Sequence, residues 1–505
     1  MYYKTISVIC LGLTTWANSV FAQKLESLVP ETPSSAPDYF CTWNIQGYLV
    51  NYESTELQRR EINEANIFGQ GKYQNWANFF PRIRQDLYFV MDDSWDIPAN
   101  ENSSHNPYLG TAQLNEERFP TLTGTPSERL RSLVQKFKLL GWKGVGGWIC
   151  AQRSTALTPT ETDEITYWSE RLKEANEAGF SYWKVDWGNH SHDGNWREML
   201  TNLGKHHAPN LWIEHAMRNE FIQFSDVYRT YDVENIIAKP VTIQRICNIL
   251  PYKSNESAKG IINCEDEPYI AVGLGCAIGI MRHPYSGNMP NGQQDFVFPP
   301  VGQNYKLCMD EVIRAIRWHR IAEPFGVDGN YSIDTLRLND SWQLAENETW
   351  QTWRPIGSIL TESAPARVSR CMPLPVVEDT CSSRPFILAS LYHNQAIALS
   401  AIGRTIGRDY IEHPITVTIH GKEWTAPIGL FGYFKEVCII YPYIPKKKVK
   451  VIAQDLAGDH PIDITRKVRI EGNRLMIPGK IIRKIGLMNA TPGDLSAPGM
   501  VIKMM

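Results

Sequence analysis

A chain of 505 residues is too long for one compact core at the usual ~150 to 250 residues per domain, and calls for two or three domains. Hydrophobic residues at 43% and charged residues at 21% are ordinary for a soluble globular protein. A net charge of -3 gives no reason to expect nucleic acid or an anionic membrane as partner.

Residues 1–22 read as an export signal. Lys4 supplies the positive start, residues 6–16 an apolar run too short to span a bilayer permanently, and Val20-Phe21-Ala22 a small-x-small cleavage site before Gln23. Cys10 lies inside the run, well ahead of that site, which is a poor position for a lipoprotein cysteine. The mature chain is therefore expected in the periplasm or outside the cell. Residues 23–38, rich in Pro and Ser, form an extended lead-in.

A first strand is expected over residues 39–46, holding Thr42-Trp43-Asn44, and a helix over 56–68. Residues 86–91 are a nearly continuous apolar run fit for a strand buried on both faces, ending in Asp92-Asp93-Ser94-Trp95. Thr125-Pro126-Ser127-Glu128 opens a helix reaching residue 140. A third strand over 144–151 carries Trp148 near its end, and a helix over 160–178 leads to a fourth strand, Tyr182-Trp183-Lys184-Val185-Asp186, which breaks at Gly188. Lys184 and Asp186 share one face of that strand. Burying two such charges is expensive, so the pair either closes one end of a sheet or belongs to a site. The exposed pair His206-His207 is read as surface rather than metal-binding.

The fifth strand, 211–214, again ends in a carboxylate, Glu214, followed by His215. The sixth runs over 226–232, from Asp226 through Arg229 to Asp232; the seventh, 259–264, runs into Glu265-Asp266-Glu267; the eighth, 276–281, ends in Arg282-His283-Pro284. A helix over 312–321 closes the set. Strands and helices alternating over about 290 residues, with charged or aromatic residues at the strand ends, predict a (β/α)8 barrel spanning residues 39–334 with its site where those ends converge.

Residues 335–384, with Trp342, Trp350 and Trp353, read as a connector. From 385 to 505 short β-rich runs separated by turn residues, with no helix and no internal repeat, predict an antiparallel β-domain. Lys446-Lys447-Lys448 is a solvated turn. Of ten cysteines, nine follow the export signal without metal-like spacing; Cys371 and Cys381 are close enough to bridge across a loop, the alternative being free thiols. No metal or other cofactor is expected. The 16 Trp and 22 Tyr supply flat apolar faces with polar edges, suited either to sugar rings or to core packing.

The ordered strand ends resemble the clan of retaining α-glycosidases that contains the α-galactosidases of glycoside hydrolase families 27 and 36, in which a barrel precedes an antiparallel β-domain. Thr42-Trp43-Asn44 looks like the family's first-strand tryptophan segment, and Asp92-Asp93-Ser94-Trp95 like its DDGW motif with serine for glycine. The resemblance implies that Asp92 and Asp93 hold sugar hydroxyls. Residues 182–186 look like the YxKxD motif, implying Asp186 as nucleophile and Lys184 as sugar ligand. Arg229 to Asp232 resembles the acid/base segment, which implies Asp232 as acid/base; the family places three residues between arginine and acid where this chain has two, so Glu234 and Asp226 stay as alternates. Glu265-Asp266-Glu267 resembles the seventh-strand acidic segment, with Asp266 the expected ligand. Cys150 sits near a position where some members carry a cysteine, but Trp187-Gly188 follow Asp186 where its disulfide partner would stand.

Retaining hydrolysis needs two carboxyl groups about 5 to 5.5 Å apart, one attacking the anomeric carbon and one protonating the leaving oxygen. Lys184 is expected to favour the ionised form of Asp186, and Arg229 to point at a sugar hydroxyl or at Asp186. Trp43, Trp148 and Trp187 are candidates to stack on the ring, and Glu214 joins the expected sugar ligands. His283 either lines the pocket or is structural. An exo-acting α-glycosidase acting on terminal α-galactosyl groups of an oligo- or polysaccharide is expected, with β-L-arabinopyranosides or another α-linked sugar as alternatives. A barrel that binds sugar without turnover is the second function class.

Overall fold

The computed structural model of the chain describes residues 25–52, 54–101, 106–156, 162–230, 236–256, 258–292, 305–346, 354–445 and 449–505. The expected export signal, Trp350, Trp353 and the three-lysine turn lie outside the described residues.

Eight parallel strands close into a barrel: β1 (Tyr39–Cys41), β2 (Tyr88–Met91), β3 (Gly144–Ile149), β4 (Tyr182–Val185), β5 (Trp212–His215), β6 (Val227–Arg229), β7 (Ile261–Glu265) and β8 (Ala277–Ile280), with β8 paired to β1. Helices α1 (Trp43–Val50), α2 (Thr55–Arg60), α3 (Glu64–Phe68), α4 (Pro126–Leu139), α5 (Glu164–Ala178), α6 (Gly194–His207), α7 (Ala238–Ile249), α8 (Pro268–Gly273) and α9 (Met309–His319) lie in the connections and after β8. The local causes are readable in α4. Thr125 and Glu128 form a reciprocal capping box, Pro126 fills the first turn, and Leu130, Leu133, Val134 and Phe137 recur at helical spacing to bury one face. In β3 a Cβ on Gly147 would stand 2.6 Å from the Trp95 ring, so glycine lets that indole seat its N–H on the Trp148 carbonyl at 2.8 Å.

The first strand is shorter than the sequence predicts. It ends at Cys41, and Trp43 begins helix α1, whose Ile45 and Tyr48 bury one face at i, i+3 spacing. The helix expected over 56–68 is two, because Asn63 adopts an extended backbone and caps α3 by accepting the Asn66 N–H.

The C-terminal unit is mostly antiparallel. An eight-stranded sheet runs in the order Ile462–Asp463, Val451–Asp455, Gly499–Met504, Ile428–Phe431, Ile397–Ile402, Phe386–Leu391, Arg367–Arg370, Tyr331–Ile333, and a five-stranded sheet is built around Ile415–His420 and Phe434–Ile440. Three pairings within them are parallel. The stretch 335–384 is more than a connector. It supplies strands Arg367–Arg370 and Val376–Val377 to the two sheets, and a hairpin of Arg337–Gln343 with Ile359–Pro365. One helix, α10 (Gly479–Gly486), stands where none was expected; its Ile481, Ile482 and Ile485 are buried, a helical spacing within a run short enough to pass for a strand. Barrel and β-unit share a core, in which Val272, Leu274 and Trp318 cluster with Phe386, Leu388, Tyr392 and Phe431.

Candidate active site

Side chains alternate along a strand, so Tyr182, Lys184 and Asp186 share the inward face of β4, with Asp186 just past its C-terminal end. Lys184 does not pair with Asp186. Its Nζ donates to Asp92 Oδ2 at 2.6 Å and to Cys41 Sγ at 3.4 Å, while the Cys41 thiol donates to the same Asp92 oxygen at 2.7 Å. The cation facing Asp186 is Arg229 at the end of β6, with Nη2 3.0 Å from Asp186 Oδ1. The Trp148 indole donates to Asp186 Oδ2 at 3.0 Å. Behind the carboxylate, the buried Arg197 of α6 donates to the Asp186 carbonyl at 2.6 Å and the Val185 carbonyl at 3.3 Å, and its Nη1 lies 3.2 Å from His215 Nδ1. Burial and the Arg197 charge hold His215 well below the usual histidine value, in its neutral form.

Asp92 and Asp93 follow β2 at the mouth. Burial works against the charge on Asp92, but Lys184 and the Cys41 thiol outweigh it and hold the carboxyl below its ordinary value. Asp93 differs: burial dominates and, with the Asp92 charge, pushes it up to about 6 despite Arg59, whose Nε donates to Oδ2 at 2.8 Å. Ser94 donates to Asp93 Oδ1 at 2.9 Å from a backbone with φ +82, the left-handed region that favours glycine. Arg59 also lies over the Trp187 ring, 5.3 Å from its centroid, and Trp148 meets Trp187 at 5.3 Å between centroids. Of the three tryptophans expected to stack on a sugar, Trp148 is buried with its N–H spent on Asp186, and Trp187 is half-buried with Arg59 on one face. Trp43 is half-buried against the barrel-interior cluster of Tyr39, Cys41, Tyr88 and Tyr182.

Glu214 is fully buried beneath the mouth. It accepts from Tyr182 at 2.7 Å, Asn263 at 3.1 Å and Tyr39 at 3.3 Å, and lies 3.6 Å from Arg229 Nη1. Burial raises its pKa above the ordinary value against the pull of Arg229. With both oxygens held inside the barrel it is a support for Arg229 rather than the expected sugar ligand. Asp266, also expected as a ligand, turns away: its Oδ1 accepts from the Met281 and Arg282 backbone at 3.0 and 3.2 Å and pairs with Arg282 Nε at 3.2 Å, with a backbone φ of +51. Its neighbour Glu265 takes the inward position, 3.5 Å from Arg229 Nε. Period-two alternation along β7 carried that signal, since Glu265 shares the face of Asn263 and Ile261. Arg59 and Arg197 had none, being 34 and 11 residues from the groups they hold.

Asp232 and Glu234 lie outside the described residues. Asp226 precedes β6 and so sits at the opposite end of the barrel, where it accepts from the Ile213 N–H at 3.4 Å; the alternate assignment to it is withdrawn. His283 is fully buried and edge-on to Tyr48, 4.9 Å between centroids. His206 and His207 close the last turn of α6. All nine described cysteines are free, Cys371 and Cys381 among them, and Cys150 donates to the Trp187 carbonyl at 3.3 Å. Among the described residues no group of three or more His, Cys, Asp or Glu is arranged to hold a metal ion, and no helix is long and apolar enough to cross a membrane.

No family model and no curated protein matches the sequence. Solved structures do. A GH27 β-L-arabinopyranosidase from Geobacillus stearothermophilus is 9% identical with a TM-score of 0.40, covering 93% of this chain and 96% of its own. The α-galactosidase of Saccharomyces cerevisiae, solved with raffinose, is 8% identical at 0.36, covering 94% and 96%. An Anoxybacillus α-amylase is 8% identical at 0.40, covering 93% and 98%. Residue roles in this chain rest on its own geometry. The chain itself is a (β/α)8 barrel followed by a mostly antiparallel β-unit.

Proposed function

We propose that this protein is an exported retaining α-glycosidase that removes terminal α-linked sugars, α-galactosyl groups first, with β-L-arabinopyranosides as the nearest alternative. The observation that carries the reading is Asp186, an inward carboxylate at the end of β4 gripped by Trp148 on one oxygen and faced by Arg229 on the other. Beside it, Asp92 and Lys184 offer an acceptor and a donor to ring hydroxyls. In the first step a carboxylate oxygen of Asp186 attacks the anomeric carbon while the bond to the leaving oxygen breaks and that oxygen takes a proton from Asp232, three residues past the end of β6. In the second, water attacks the anomeric carbon and gives its proton to Asp232, and the ester electron pair returns to Asp186. Arg229 balances the charge on Asp186 while its carboxylate is free, and Glu214 and Glu265 hold Arg229 in place.

The test is release of nitrophenol from the α-galactoside, α-glucoside, β-L-arabinopyranoside and α-fucoside by wild type, Asp186→Asn and Asp232→Asn. Turnover of one glycoside, lost in both variants, supports the reading and names the sugar. Sugar binding by wild type without turnover of any of them would sink it in favour of a barrel that only binds.

A further inference from the structure

Ser94 is fully buried beside Asp93, and its backbone stands at φ +82, the left-handed region in which any side chain other than glycine is strained. Its hydroxyl makes one hydrogen bond among the described residues, donated to Asp93 Oδ1 at 2.9 Å. The other Asp93 oxygen accepts Arg59 Nε at 2.8 Å, and Arg59 lies over the ring of the half-buried Trp187, next in sequence to Asp186. The Asp93 N–H in turn donates to Asp92 Oδ1 at 2.8 Å. A strained residue persists at a site only where its surroundings over-determine it, and the partner that the Ser94 side chain has is this carboxylate.

We propose that Ser94 is a positioning residue for the sugar pocket: its hydroxyl fixes the plane of the Asp93 carboxylate and, through Arg59, the lie of the Trp187 ring. This rests on the glycosidase reading. The terminal torsion of an aspartate is broad, but a donor on each oxygen holds the carboxylate in one plane. Without the Ser94 hydroxyl the hold is one-sided, and Arg59 is free to move with the carboxylate it grips. The hydroxyl also favours the ionised form of Asp93, against the burial and the Asp92 charge that push it up to about 6. The charged and titratable groups around Asp93 are Arg59 of α2, Asp92 and Asp96 on its own segment, Arg118 in the loop before α4, and Cys150 just past β3.

The experiment is steady-state kinetics from about pH 4 to 8 on the nitrophenyl glycoside that wild type hydrolyses, with Ser94→Gly and Ser94→Ala. Glycine removes the hydroxyl and the strain together, whereas alanine removes the hydroxyl and keeps the strain. Both variants are expected to raise KM about tenfold with kcat retained, the pattern of lost ground-state binding, and to move the acid limb of kcat/KM up by about one pH unit. The sign follows from Asp93, because losing a donor to its charged form raises the pH at which it ionises. Melting temperature is expected to separate the two variants, with Ser94→Gly above Ser94→Ala. Where the alanine variant fails to fold, Ser94→Gly decides alone, since its backbone suits the turn. Wild-type KM and acid limb in Ser94→Gly, or losses of activity that merely follow melting temperature, would overturn the proposal and leave the glycosidase reading standing. Absence of turnover by wild type would overturn both.

Discussion

Asp93 and Asp96 are among the residues whose ionisation the fold opposes. Burial pushes Asp93 to about 6 and Asp96 to about 7, against about 3.9 for an exposed aspartate. The folded state thus binds more protons than the unfolded chain between about pH 4 and those values, so both groups lower stability as pH rises through the window, and their effect is level above it. Asp93→Asn should remove its share of that slope. Melting temperature followed from pH 4 to 7 should fall less steeply in the variant than in wild type, and parallel curves would refute the assignment. On the proposed function, in which Asp93 accepts from a sugar hydroxyl, the variant should also show a raised KM. Lys184 and Asp92 predict the opposite sign. The carboxyl is held below its ordinary value, its contribution is present at neutral pH and is lost only as pH falls through its folded value, and Lys184→Met, which leaves Asp92 buried without its cation, should cost several kcal/mol, as breaking a buried pair does.

Among the elements, the hairpin Arg337–Gln343 and Ile359–Pro365 reaches from the β-unit onto the barrel. Trp342 is buried with Leu344 against Ile236 and Ile237, which directly follow the stretch holding Asp232, and Arg408 lies over the Trp342 ring at 4.5 Å. On the other side of that stretch the Thr230 carbonyl accepts from Arg245 of α7 at 2.6 Å. Both flanks are thus fixed by other elements. On the proposed function, in which Asp232 donates the proton, Trp342→Ala should impair proton donation more than attack by Asp186. Because proton donation contributes roughly 10²–10⁴-fold and matters only for poor leaving groups, alkyl glycosides should lose about tenfold or more in kcat/KM while dinitrophenyl glycosides lose little. Equal loss on both would point to general destabilisation instead. The barrel was legible because charged or aromatic residues recur at the strand ends in sequence order, as with Asp92, Trp148, Asp186 and Arg229. What was illegible is what tertiary packing alone decides. Glu265 and Asp266 are adjacent acids; alternation turns Glu265 inward, but that Asp266, on a left-handed backbone, pairs with Arg282 is decided by packing. Arg59 arrives from α2, and Lys184 pairs with the distant Asp92 rather than the Asp186 beside it, because β2 and β4 are alternate strands whose inward side chains meet in the barrel interior.

Across the whole molecule, the core is continuous from the barrel into the eight-stranded sheet, and buried polar pairs tie the same surfaces. Arg314 of α9 meets Asp455 at 3.0 Å, Asp310 accepts from the Thr491 N–H at 2.7 Å, and Tyr392 donates to the Val272 carbonyl at 2.6 Å. The lead-in adds a strap, with the Leu28 N–H on Gln454 at 2.6 Å and the Ser34 N–H on Asp86 at 2.8 Å. Calorimetry is therefore expected to give one unfolding transition for barrel and β-unit together, and two resolved transitions would contradict the shared core. The interior of the barrel has a further consequence. Barrels of this kind are usually filled by branched apolar side chains, whereas here Tyr39, Tyr182, Glu214, Asn263 and Arg229 fill the space under the mouth and hold one another. On the proposed function, scaffold and catalytic support are the same atoms, so mutational drift on the strands is penalised twice, in stability and in turnover. Adaptation to a new sugar is left to side chains that arrive from outside the strands, Arg59 and Trp187 first among them.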